Sequence, residues 1–90
     1  MAAPNKPLVL IEWQDSRQPV SGWAWLSDIT IGEIVLCQSV GWLLHDDDDV
    51  KVLAPNVGDI ADDDSQQVSG VIRIPARSVV RILPLSGQPT

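Results

Sequence analysis

Val71-Ile72-Arg73-Ile74-Pro75-Ala76-Arg77-Ser78-Val79-Val80-Arg81-Ile82-Leu83 is the stretch that decides the fold. Val68 to Ile74 and Val79 to Leu83 are rich in β-branched residues, which fit a pleated strand better than a helix. Proline lacks the N–H that a strand ladder needs but is tolerated in a first helical turn. Pro75-Ala76-Arg77-Ser78 therefore reads as one turn between two short strands.

Outward from that ending, the chain is a series of extended segments. Asn56 to Gln66 is a polar loop carrying Asp62, Asp63 and Asp64. Val50 to Ala54 is a strand that Pro55 stops, and Asp46 to Asp49 form the tip of the hairpin before it. Glu33 to His45 is too long to remain flat, and Gly41 is its expected point of bending or bulging. Leu8 to Gln14 is a continuous apolar strand with Val9, Ile11 and Trp13 on one face. Asp15-Ser16-Arg17-Gln18-Pro19 is a turn-rich break. Ser21 to Leu26 reads as extended, with Trp23 and Trp25 on one face. The expectation is five antiparallel strands near 8–14, 22–26 or 30–36, 37–45, 50–54 and 68–83, the last span divided at Pro75. Residues 1–7 read as an arm, 8–85 as a single domain and 86–90 as a tail.

Composition bounds what this all-β domain can do. The chain has 90 residues, enough for one core, and 44% of them are hydrophobic, which excludes disorder as a description of the whole. With no Phe and no Tyr, four Trp and the aliphatic residues must fill the core. Trp13 reads as core beside Val9 and Ile11, and Trp42 as core beside Leu36 and Val40. Formal net charge is -6, from 12 acids against 6 bases. Phosphate neutralisation needs a Lys/Arg surplus, so nucleic acid is not the expected partner. Residues 67–90 carry Arg73, Arg77 and Arg81 with no acid, a basic strip on an acidic body. Cys37 is the one cysteine, which fits a reducing compartment. Residues 1–6 lack the apolar stretch of a signal peptide, and no apolar run is long enough to span a bilayer as a helix. The expected location is the cytoplasm.

No constellation in the sequence points to catalysis. Cys37 and His45 lie eight residues apart on one expected strand, about 26 Å when extended, too far for a nucleophile–base pair. Four consecutive Asp on a hairpin tip alternate in direction, unlike the inward-pointing ligands of a calcium loop, and they read as a solvated turn. No phosphate-binding glycine loop or paired-cysteine motif is present. Neither an enzyme nor a resident metal or cofactor is expected. The candidate binding residues are Trp23 and Trp25, in a Gly- and Ser-flanked segment with few apolar neighbours, together with the Arg strip and the Asp62-Asp63-Asp64 loop. Tryptophan is enriched at binding hot spots, and arginine suits phosphate or carboxylate clamps.

The ending Val71 to Leu83 resembles the strand, single turn and strand that close SH3-like and Sm-like barrels. Trp13-Gln14-Asp15-Ser16, Gly22-Trp23, Ser39-Val40-Gly41-Trp42-Leu43 and Val52-Leu53-Ala54 together resemble small proteins of bacteriophages and prophages. The resemblance spans most of residues 8–85. It implies a small five-stranded SH3-like or Sm-like barrel and a phage-type accessory protein that binds a host protein, for counter-defence or host takeover. It carries over no catalytic residue. The chain lacks the Gly/Asn-rich RNA-binding loops of Sm proteins, and its charge opposes an RNA-binding ring. A further alternative is a homo-oligomer that sequesters a nucleotide between subunits by Trp stacking and an Arg clamp.

Overall fold

The computed structural model describes residues 5–16, 21–29, 31–32, 34–62 and 64–86. Among these, the elements are β1 (Leu8–Asp15), η1 (Leu26–Asp28), β2 (Val35–Asp46), β3 (Val50–Ala54), β4 (Asn56–Gly58), β5 (Gln67–Ser69), β6 (Ile72–Pro75), η2 (Ala76–Ser78) and β7 (Val79–Pro84), where η marks a single 3-10 turn. Five strands form an antiparallel sheet in the order β6-β3-β2-β1-β7, and β4 pairs with β5 in a separate hairpin. The fold is all-β, as the sequence predicts. Pro75 ends β6, and η2 occupies Ala76–Ser78.

That turn shapes the sheet. Laid flat, β6 and β7 would stand four strand spacings apart, about 19 Å. A three-residue 3-10 turn covers only about 6 Å, so the sheet must roll to bring its edges together. Ile74 of β6 and Ile82 of β7 accordingly pack on one cluster with Val9, Ile11, Leu43 and Leu53. The Ala76 N–H, donating to the Asp49 carbonyl at 2.9 Å, ties η2 to the β2–β3 hairpin. The roll stays open, because β6 and β7 do not pair with each other.

Four expectations change. Asn56–Gly58, expected as the start of a polar loop, is β4 and pairs with β5. Neither alternative for the second strand holds: residues 22–26 are not a strand, and among the described residues of 30–36 only Val35 and Leu36 are strand, as the start of β2, with 31–32 and 34 outside any strand; β1 already has β2 on one side and β7 on the other, so its neighbouring segment finds no free edge there. The strand expected over 68–74 divides at Gly70, whose φ of 74° is a left-handed turn conformation that favours glycine. The buried face of β2 is also the opposite of the one expected. Register places Val9 opposite Gly41 and Ile11 opposite Ser39, so the parity of Gly41 and Leu43 faces the core. Leu36, Val40 and Trp42 occupy the outer face, with Trp42 half-buried. Trp13 is half-buried against the core and donates from Nε1 to Ser39 Oγ at 3.0 Å. The register shift of β2 against β3 falls between Leu43 and His45, just beyond Gly41. No helix among the described residues is long and apolar enough to cross a membrane.

Candidate binding surface

The connection from β1 to β2 leaves the sheet and carries an unusual apolar load. Trp23, Trp25, Leu26, Ile29, Ile31 and Ile34 are all exposed, Trp25 at 80% and Leu26 at 89%. Trp25 and Ile29 have extended backbone, and between them η1 makes one turn, closed by Asp28 N–H to Trp25 O at 2.9 Å. Burial of such a side chain is worth about 1.5–3 kcal/mol. The described fold collects almost none of this from the segment. Trp23, Ala24 and Trp25 line an open cleft of about 320 Å³.

The three arginines lie on consecutive elements at the end of the chain's last sheet segment. Arg73 is on β6 and Arg81 on β7, the two outermost strands, with Arg77 in the turn that joins them. Arg81 donates to Glu12 Oε2 at 3.3 Å, and Gln38 Nε2 donates to the same oxygen at 3.1 Å. The Gln38 hydrogen bond first, and then Arg81, hold the Glu12 carboxyl below its ordinary range. Arg81 thus has an acidic partner within its own sheet, on the strand beside it.

The acidic segments have separate local roles. Asp62 accepts the Asp64 N–H at 3.0 Å and shapes the β4–β5 loop; Asp63 lies outside the described residues. At the hairpin tip, Lys51 Nζ donates to the Asp46 carboxylate and to the Asp47 carbonyl. Asp47 Oδ1 accepts the N–H groups of Asp49 and Val50, each at 2.8 Å, while its Oδ2 contacts His45 Nε2 at 2.6 Å. The tip is therefore more than a solvated run. The His45 contact, reinforced by the two backbone donors, lowers the Asp47 pKa from 3.8 to about 2.

A group whose folded pKa lies below its unfolded value stabilises the fold above the unfolded pKa and loses that contribution as pH falls through the folded one. Stability should therefore decline as pH drops from about 5 to about 2. Asp47→Asn should flatten this decline relative to wild type. Calorimetric melting across that window checks the contrast. Equal slopes for wild type and Asp47→Asn would contradict the assigned turn geometry.

No protein-family model, curated protein or solved structure matches this chain. Trp23 and Trp25, flagged in the sequence by their Gly and Ser flanks, are fully or largely exposed. Leu26, Ile29, Ile31 and Ile34 join them, although the sequence reading does not single them out. Their signal is an apolar run in a segment with no strand partner, which only the sheet order makes visible.

Proposed function

We propose that this chain is a non-enzymatic binding protein built on an SH3-like or Sm-like barrel, with segment 21–34 as its working surface and Trp23 and Trp25 as anchors for a protein partner. The observation that carries the reading is the exposure of six large apolar side chains in one stretch of chain. Soluble monomers rarely expose contiguous apolar surface on that scale unless it meets something. Buried tryptophans are the commonest energetic centres of such contacts. The strand order β6-β3-β2-β1-β7 and the single turn before the last strand support the barrel class. With the resemblance to phage proteins, this makes the partner a host protein, engaged in counter-defence or takeover. The net charge of -6 suits a basic partner, which the acidic loops would steer during encounter.

The test is capture of a specific host protein followed by reconstitution from purified components. Trp23→Ala/Trp25→Ala should weaken that binding at least about 30-fold, the 2 kcal/mol of a hot spot. Its melting temperature should stay that of wild type, since neither ring supports the sheet. Undiminished binding by the double variant would remove the segment from the partner surface.

A second reading, a nucleotide binder, is favoured by one observation. The open cleft lined by Trp23, Ala24 and Trp25 has a volume of about 320 Å³, at the lower end of small-ligand sites. Aromatic faces stack bases without strong sequence preference, and Arg73 or Arg77 would supply phosphate contacts. Absorbance and mass of small molecules released on denaturing the purified protein distinguish this reading from the first.

A further inference from the structure

The outer face of the β2–β1–β7 part of the sheet has the composition of a buried surface. In a sheet with one solvated face, outward positions are polar; strands apolar on both faces are covered on both. On β1, Leu8 and Leu10 point outward between the inward Val9 and Ile11. Register sets Leu10 between Val40 of β2 and Leu83 of β7, and Leu8 opposite Trp42. Leu36 is 62% exposed, Val40 48% and Leu83 38%. Leu36 and Val40 are the β2 side chains that the sequence pattern marks as core, beside Trp42.

Charge on this face is balanced. One row across the three strands holds Gln38, Glu12 and Arg81, with both neighbours donating to Glu12. The Glu12 side chain is only 14% exposed. The row sums to zero in a chain of net charge -6. Two copies of such a chain repel through their acidic surfaces but meet no net charge here.

We infer that this face is the contact surface between two copies of the chain, related by a two-fold axis. A two-fold contact must be self-complementary, the same patch serving both sides. An acid and a base in one row, with apolar rows beside it, meet that requirement: Arg81 of one copy can face Glu12 of its mate, and leucine and valine can meet their like. A neutral face offers no charge by which to select a different, charged partner. Segment 21–34 takes no part, so the dimer stands or falls independently of the partner-binding reading.

Sedimentation analysis over a wide concentration range tests this, with melting as the control for folding. Wild type should be a dimer. Leu83→Glu and Val40→Glu should each raise its dissociation constant at least about tenfold. Leu36→Ser should shift it in the same direction without introducing a charge, and serves if either Glu variant fails to fold. Glu12→Arg should weaken the dimer, and adding Arg81→Glu should restore it, since the row regains one acid and one base. Trp23→Ala/Trp25→Ala should leave it unchanged. A wild-type monomer throughout, a ring larger than a dimer, indifference to the face variants, or dissociation by the Trp variant would each overturn the inference.

Discussion

Replacing Ile74 with alanine is expected to destabilise the fold by about 2–5 kcal/mol. Ile74 is fully buried, on a strand of only four residues, and pairs across to Lys51 of β3. It belongs to the same cluster as Ile11 and Leu53 although β6 is an edge strand. Truncation therefore removes apolar burial and opens a cavity where the rolled sheet brings β6 over the core. Collapse around the gap is restricted, because Pro75 and η2 follow immediately and η2 is tied to Asp49. Leu26→Ala provides the contrast. Leu26 is 89% exposed, so its loss should change stability by less than about 0.5 kcal/mol. Denaturant unfolding of both variants checks the pair. Equal destabilisation would mean that segment 21–34 packs on the domain, and the binding surface assigned to it would be lost as well.

The contrast between Ile74 and Leu26 marks what the sequence makes legible. Local rules suffice for β1, β3, the hairpin tip and the Pro75 turn, since each is specified by residues within its own span. The buried face of β2 is harder. Leu36, Val40 and Trp42 on one parity outweigh Cys37, Ser39, Gly41 and Leu43 on the other, so pattern alone selects the wrong side. Pairing with β1 decides otherwise, because Val9 and Ile11 must face the same way as the residues opposite them. An apolar surplus on the outer face is thus the mark of a second contact, legible only after the register is known.

The candidate site is legible to a similar degree. Exposed tryptophans follow from Gly and Ser flanks and from the lack of apolar neighbours. Arg73, Arg77 and Arg81 lie on β6, η2 and β7, elements consecutive in the chain whose two strands do not pair in the sheet. Arg73 and Arg81 are carried on opposite outer strands, and Arg81 is engaged with Glu12. Nor does the sequence separate Asp47 from its acidic neighbours. The carboxylate that accepts two backbone N–H groups is selected by turn geometry, not by residue type.

Gly41→Ala should be nearly as damaging as a core truncation, for the opposite reason. A Cβ at Gly41 would lie 2.6 Å from the Ala54 carbonyl oxygen and 2.8 Å from its carbon. Both are backbone atoms, so no rotamer change relieves the contact. Ala54 is fully buried at the end of β3, and Pro55 follows it. The added methyl group must push β3 away from β2 next to the Trp42–Ala54 pair. Overpacking of a well-filled site costs about 1–3 kcal/mol, and more where backbone must move. Gly58→Ala tests whether the effect is specific. Its nearest neighbour would be the Gln67 carbonyl oxygen at 3.9 Å, an ordinary contact. Alanine there removes freedom from the unfolded chain and should be neutral or stabilising by about 0.4–1 kcal/mol. Urea midpoints for the two variants should therefore move in opposite directions or differ by more than 1 kcal/mol-equivalent, roughly. A Gly41→Ala protein that unfolds with the wild-type midpoint would show that β2 does not approach β3 this closely, and the assigned inner face of β2 would fall with it.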